Sequence, residues 1–516
     1  MSRARTVLRT GVWSALIQVV TLITQVVTVP FFMGAWGAEL YGDWLTLSAL
    51  VSYLSLADGG MQNYIINRLT QLGAKEQWDE LRKELSSATM LYAVVLVAVV
   101  VLALLLAVAW PYESSLAGRP ILTHGGISPA GIVFLLGLQV VSALASGMAA
   151  GLYRVVGRAD AAQGVVFVQR LVQLIATAVV LWLKWSPGAM AVVHLVVATG
   201  AAVVMFIDTS RLDSRLIPSW RGGDWRLARS FLVPSLLFLV GMLSQNLVTQ
   251  GTVLMIAHVA TGAEVVVFAT SRTVANVLRQ PVSLINGALA PEITRLDAIS
   301  GKERIAFSHR LAGKVTSAVV FPAAAALLFV GVEVYGLWTR HRAEPNTWLM
   351  RLLLIDAMAN TPAFVSALFL MSTNRHERLV WVALLAGVAT VVGAGLLYPL
   401  MGVAGAGAAI LGVNMLVSNV VAPVWFCATV GETFGSFVRK VYLPLSVAAV
   451  LLVAVGGGVH LAIPDGFLGI LSVSAACAVT GALAFWFIVF DREEKAFLLG
   501  LVGRRRQPAN ETAALT

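Results

Sequence analysis

Read as a pattern of apolar and polar positions, the chain alternates between long hydrophobic runs and short charged connectors. Fourteen runs are long enough for a membrane-crossing helix, at roughly 10–34, 44–66, 86–110, 129–152, 163–185, 188–209, 231–257, 264–290, 314–338, 347–371, 379–398, 402–427, 441–463 and 467–490. The eighth run, from Glu264 to Pro291, is about 28 residues or roughly 42 Å as helix. Inside it Arg272, Asn276, Arg279, Ser283 and Asn286 recur at steps of four, three, four and three, so all five fall on one narrow helix face. Burying two guanidinium groups at such depth is costly unless they meet water, a partner or an anion. A cationic stripe of this length suggests the wall of a polar cavity. Interhelical bonding or snorkelling is the plainer account; Arg272 is close enough to one end to snorkel, whereas Arg279 sits near the middle.

Composition agrees with the pattern. The 516 residues are 58% hydrophobic and only 12% charged, with mean hydropathy +0.84, more apolar surface than a soluble fold could hide. The formal charge of +10 is not a nucleic-acid signature, because the cations sit in the short connectors. Counted from an inside N-terminus, the even-numbered exits carry Arg68, Lys75, Arg82, Lys83, Arg154, Arg158, Arg211, Arg215, Arg221, Arg226, Arg229, Arg295, Lys302, Arg304, Arg310, Lys314, Arg375, Arg378, Arg439 and Lys440, followed by the basic tail. The opposite loops hold only Arg119, Lys184, Arg340 and Arg342. That asymmetry predicts both termini on the cytoplasmic side. Two cysteines exclude a disulfide framework, and the scattered histidines offer no metal-ligand spacing.

The chain also repeats itself. Gly37-Ala38-Glu39 returns as Gly262-Ala263-Glu264, Arg68-Leu69 as Arg295-Leu296, and Gly73-Ala74-Lys75-Glu76 as Gly301-Lys302-Glu303. Six runs per repeat is an even number, so both halves share one orientation. The expected architecture is two parallel-related six-helix lobes, residues 1–213 and 214–440, with an appended helix pair at 441–490 and a cytoplasmic basic tail at 491–516. Residues 67–85 and 291–313 read as surface helices at the membrane interface.

Three further polar faces stand out. The first run carries Gln18, Thr21, Gln25 and Thr28; the fifth carries Gln163, Arg170, Gln173 and Thr177; the seventh carries Gln245, Asn246, Thr249 and Gln250. Rows of Gln and Thr serve interhelical packing as readily as a cavity. The intramembrane acids are few. Asp58, in S-L-A-D-G-G, suits a coupling carboxylate, a gate partner for an arginine, or a cap for a helix broken at Gly59-Gly60. Asp356 lies in the tenth run, with Asn360 one turn later. Deep charge is thus dominated by Arg170, Arg272 and Arg279, and a positive low-dielectric cavity suits phosphate or pyrophosphate, which arginine binds bidentately. No catalytic constellation and no nucleotide-binding glycine loop is present, so no cofactor is expected.

The opening stretch resembles the start of polysaccharide-exporting flippases of the Wzx type, within the multidrug/oligosaccharidyl-lipid/polysaccharide flippase superfamily. The carriers of the likeness are Pro30 near the end of the first run, G-x-E-x-Y-G at Gly37, Glu39, Tyr41 and Gly42, D-x-G at Asp58 and Gly60, the G-A-E before the eighth run, and T-N-R-H-E-R before the eleventh. The resemblance implies alternating access by two lobes and a substrate of undecaprenyl-pyrophosphate-linked oligosaccharide, an O-antigen or exopolysaccharide repeat unit, moved across the cell inner membrane. On that reading Arg272 and Arg279, aided by Arg170, bind the pyrophosphate. Asn276, Asn286, Gln25 and Gln250 meet sugar hydroxyls, and Asp58 and Asp356 are the coupling or gate residues. Partners are membrane lipids, polysaccharide polymerase and chain-length machinery. Relatives that flip peptidoglycan precursor carry an arginine motif in the first span, which is absent here, and they form a lipid-tail groove with spans 13 and 14. The rival readings are a cation-coupled multidrug-type exporter of the same superfamily and a membrane polysaccharide polymerase or ligase. The first should have an acidic, aromatic site, and the second a large outer loop.

Overall fold

The computed structural model describes residues 3–110, 126–217, 219–299, 301–373, 375, 377–463 and 466–504. Among these every regular element is helical. In chain order they are α1 (Arg3–Ser52), a 3₁₀ segment (Tyr53–Asp58), α2 (Met61–Ala74), α3 (Trp78–Ala109), α4 (Pro129–Val155), α5 (Ala159–Trp182) and α6 (Pro187–Leu212). Next come α7 (Trp225–Ser230), α8 (Leu232–Asn246), a π segment (Leu247–Gly251), α9 (Thr252–Val259), α10 (Gly262–Ile299) and α11 (Lys302–Thr339). Then follow α12 (Thr347–Ala359), α13 (Thr361–Ser372), α14 (Glu377–Met401), α15 (Ala404–Val413), a π segment (Asn414–Ser418) and α16 (Asn419–Val430). The chain continues with α17 (Phe434–Phe437), a π segment (Val438–Tyr442), α18 (Leu443–Ala462), α19 (Phe467–Ala484), a π segment (Phe485–Val489) and α20 (Arg492–Arg504).

Eleven helices among the described residues are long and apolar enough to cross a membrane, or up to twelve when the bent pair α12 and α13 is taken as one span. The protein is a multi-pass membrane protein, and its outward side chains agree: Val97, Val101, Leu105 and Val108 of α3 are exposed, as lipid contact allows and water does not. Two of these helices begin with an identical device. Ser128 and Ser186 each accept a hydrogen bond from the amide three residues on, with Pro129 and Pro187 at the first helical position, where a missing N–H costs nothing.

Three readings of the sequence are altered by the fold. The 67–85 stretch is not one surface helix: α2 ends at Ala74, Glu76 takes a left-handed φ of 57°, and α3 starts at Trp78. Arg68 then reaches across the turn to Glu84 at 3.0 Å. The 291–313 stretch is divided between the end of α10 and the start of α11. The tenth run is broken, with α12 and α13 bent by 47° at Asn360. Pro362 has no N–H to continue the ladder, so the chain restarts with the proline in the first turn.

The chain divides into two compact units. The first comprises residues 1–273, 338–344 and 380–409; the second comprises 274–337, 345–379 and 410–516. In the first unit the repeated G-A-E motifs meet. Gly37 has φ 74°, which kinks α1 there, and a Cβ on Gly42 would collide with the Gly262 carbonyl. A Cβ on Gly262 would lie 2.6 Å from the Glu39 carbonyl oxygen. Glycine at both positions is therefore a packing requirement. In the loop after α6, Arg215 bonds Asp213 at 2.7 Å and holds its carboxyl below the usual carboxylate range, while its guanidinium lies 3.7 Å from the Trp78 ring.

The second unit packs α11, α18 and α19 around Val320, Phe321, Leu452 and Cys477. One of its ion pairs is fully buried, Lys314 Nζ to Glu494 at 2.7 and 2.9 Å, with 3% and 1% of the side chains exposed. Glu494 also accepts from the Asp491 amide while Asp491 accepts from the Glu494 amide, a reciprocal cap for α20. The polybasic end of the tail lies outside the described residues.

Candidate functional site

The first unit carries polar faces on α1 and α5. On α5, Val168, Val172, Ile175, Val179 and Trp182 form an exposed apolar stripe. Arg170 is exposed as well, and at about 100° per residue it falls roughly opposite that stripe, in line with Gln163 and Thr177. The two exposed faces of α5 thus differ in character, one apolar and one bearing an arginine. The α1 helix repeats the arrangement. Val12, Leu16, Val19, Ile23 and Val27 are exposed on one side, and Ser14 and Gln18 are exposed on the other. The two helices are in contact, with the Trp13 and Phe167 rings 5.3 Å apart.

Within these rows the structure separates packing from availability. The Thr21 and Thr28 hydroxyls donate to the carbonyls of Ile17 and Thr24 on their own helix, and Thr177 bonds His194 Nε2 at 3.0 Å. Gln25, half-buried, has its amide oxygen enclosed without a hydrogen-bond partner. The seventh-run row falls at the π segment Leu247–Gly251, where the widened turn lets Arg272 of α10 donate to the Thr249 carbonyl and place its guanidinium 5.1 Å from the Phe268 ring. Gln250 is half-buried in the same turn. Asn246 is committed to structure: its amide donates to the Met242 carbonyl and its own carbonyl accepts from the Tyr53 hydroxyl at 3.4 Å.

Asp58 ends the 3₁₀ segment and is followed by Gly59 and Gly60 at φ 59° and 73°. Its buried carboxylate lies beside the amides of Gly60 and Gln62 and the Tyr92 hydroxyl, while Oδ1 has no hydrogen-bond partner. The residue at the N-cap of α2 is Gly60, so Asp58 sits two residues before the helix that restarts after the break.

In the second unit α10 continues with Asn276, half-buried, and Arg279. Asn286 is on the same helix, but its side chain lies outside the described residues. Arg279 Nη2 donates to Asp356 Oδ2, and Asn414 Nδ2 donates to Asp356 Oδ1 at 2.8 Å. Ser418 then donates to Asn414 Oδ1 at 3.0 Å. The Asp356 side chain is 1% exposed, whereas 39% of the Arg279 side chain remains accessible. Sequence reasoning singles out Arg279 and Asp356 separately, without their pairing, and misses Asn414 and Ser418. Their signal is Asn414, Ser418 and Asn419 spaced over about one turn in an otherwise apolar run.

The second unit also holds a groove of about 540 Å³ between α11 and α19. Pro322, Ala326, Leu327 and Val330 line one wall, and Ala478, Gly481 and Phe485 the other, with Ser474 the one polar contributor. A Cβ on Gly481 would collide with Pro322, so the glycine sets the approach of the two helices. Among the described residues no group of three or more His, Cys, Asp or Glu side chains is placed to hold a metal ion.

No protein-family model and no curated protein sequence matches the chain. Its fold does have solved counterparts. The lipid II flippase MurJ in an inward closed conformation is similar at a TM-score of 0.66 and 10% identity, covering 96% of this chain and 99% of that one. An inward-facing multidrug resistance transporter of the MATE family, of the MOP superfamily, is similar at 0.59 and 13% identity, covering 85% and 96%. The MATE multidrug transporter DinF-BH is similar at 0.59 and 15% identity, covering 82% and 95%. The fold is thus the all-helical fold of these transporters.

Proposed function

We propose that this protein is a flippase, not an enzyme, and that it translocates an undecaprenyl-pyrophosphate-linked oligosaccharide, an O-antigen or exopolysaccharide repeat unit, across the cell inner membrane. The observation that carries the reading is the half-exposed arginine pair Arg272 and Arg279 on one face of α10, the helix formed by the apolar run read from sequence as the eighth span, although it is not among the eleven helices apolar enough by themselves to cross a membrane. Arg170, exposed opposite the apolar stripe of α5, adds a third cation. A diphosphate is the group such guanidinium donors recognise best, and Gln25, Gln250, Asn276 and Asn286 supply amides for sugar hydroxyls. The apolar groove between α11 and α19 suits the polyprenyl tail. Support from the fold is that the MurJ counterpart, named as a lipid II flippase, spans nearly the whole chain.

On this reading the lobes at 1–213 and 214–440 alternate access to a cationic cavity, with both termini cytoplasmic and the polymerase and chain-length machinery receiving the product. The second reading, a cation-coupled multidrug-type exporter, is favoured by the MATE counterparts. Against it stand the arginines, which repel cationic drugs, and the 85% of this chain that such a transporter covers.

The test is polymer export in cells that depend on this chain, carrying Arg279→Ala, Arg279→Lys or the double variant Arg279→Ala with Asp356→Asn, at matched membrane levels. The double variant removes the carboxylate that the single one would strand. Loss of surface polymer with accumulation of lipid-linked repeat units in both alanine variants is the expected result. Unchanged export in both sinks the substrate-site assignment.

A further inference from the structure

The Arg279 ion pair is asymmetric in a way that a merely structural contact does not require. Asp356 is wholly enclosed, while the arginine it neutralises keeps 39% of its side chain accessible. A soluble or lipid-borne anion can therefore reach the guanidinium but not the carboxylate. The acid is also wired to two irregular stretches of backbone. Its backbone carbonyl, not its side chain, accepts the Asn360 amide at 2.9 Å, the last helical bond before the 47° bend between α12 and α13. Its Oδ1 accepts from Asn414, the first residue of the π segment Asn414–Ser418. Among the described residues Arg279 is the charged group that bears on this carboxylate, and Asn414 the neutral one.

We propose that Asp356 is a resident counter-anion of Arg279, displaced by the diphosphate of the substrate, and that it takes up one proton from solvent as it is displaced. This rests on the substrate-site reading given above. In the exchange the Arg279–Asp356 contact breaks and N–H donors of Arg279 turn to phosphate oxygens. A solvent proton forms an O–H bond on the Asp356 carboxylate, and no electrons change hands. The proton is required because a carboxylate left in that enclosure without its cation is strongly disfavoured, whereas the neutral acid still accepts from Asn414 through its carbonyl oxygen. Arginine prefers the diphosphate because it offers more oxygens and more charge in the same bidentate geometry. The π segment is the element placed to respond, since Asn414 at its start is bonded to the Asp356 carboxylate.

The experiment is calorimetric titration of the purified full chain with farnesyl diphosphate, in buffers of differing ionisation enthalpy. Wild type and Asp356→Asn are compared, so that the titration of the ligand itself cancels. Wild type should take up about one proton more per ligand than Asp356→Asn, and its affinity should fall up to about tenfold per pH unit as pH rises, relative to the variant. Equal proton uptake and equal pH dependence in the two proteins overturn the proposal. Arg279→Ala separates the two levels. Binding that ignores this substitution sinks the substrate-site reading itself, while binding that needs Arg279 but moves no extra proton sinks only the exchange.

Discussion

Lys314 and Glu494 offer a quantitative test of how the C-terminal helix is held. Both side chains are almost completely enclosed, at 3% and 1% exposure, and the ammonium bonds both carboxylate oxygens at 2.7 and 2.9 Å. Removing one partner from a buried pair leaves the other charged and unsolvated, which costs about 3–5 kcal/mol. Lys314→Met leaves Glu494 with the Asp491 amide as its remaining donor. Glu494→Gln leaves the ammonium facing a neutral amide and weakens the reciprocal cap, worth about 0.5–2 kcal/mol. The double variant Lys314→Met with Glu494→Gln strands no charge and should cost under about 2 kcal/mol, well below the sum of the singles.

The assay is hydrogen exchange of the α20 amides in the purified protein, which reads local opening without unfolding the membrane helices. A loss of about 3–5 kcal/mol corresponds to roughly two to four orders of magnitude faster exchange in either single variant. The double variant should recover most of that protection. Single variants that change exchange by less than about fivefold, or a double variant whose loss equals the sum of the singles, would show that the pair does not hold α20 in place.

Two further outcomes follow from the packing. Gly42→Val should destabilise the first unit by about 1–3 kcal/mol or prevent insertion, because its Cβ collides with the Gly262 carbonyl; Gly11→Ala, inside α1 with nothing within 4 Å, should hold or slightly raise the melting temperature. Arg170→Ala should reduce polymer export about tenfold or more and Arg170→Lys less, while Val172→Ala on the opposite, exposed apolar stripe should leave it unaltered. Equal effects of Arg170→Ala and Val172→Ala at matched membrane levels would remove Arg170 from the proposed substrate site.

What was legible in the sequence was what depends on near neighbours along the chain. Each predicted apolar run holds helix in the structure, because run length and the three- and four-residue spacing are local quantities. The stripe on α10 was visible for the same reason, as was the contrast between the apolar and polar sides of α5. Partnership was not legible. Arg279 and Asp356 are separated by 77 positions and Lys314 and Glu494 by 180, and nothing in either neighbourhood announces the other. The broken tenth span and the π segments also escaped, although Asn360, Pro362, Asn414 and Ser418 lie where the backbone departs from an ideal helix.

The sequence by itself determined a multi-pass helical protein, the places where its connectors carry cations, and the membrane helices that could bear charge. Only the tertiary structure decided which of those charges are neutralised, which stay accessible, and which threonines are consumed by their own helices. The physical reason is the apolar surroundings: there a side chain's state depends on the few groups within hydrogen-bond reach, and packing brings those groups together from distant parts of the chain.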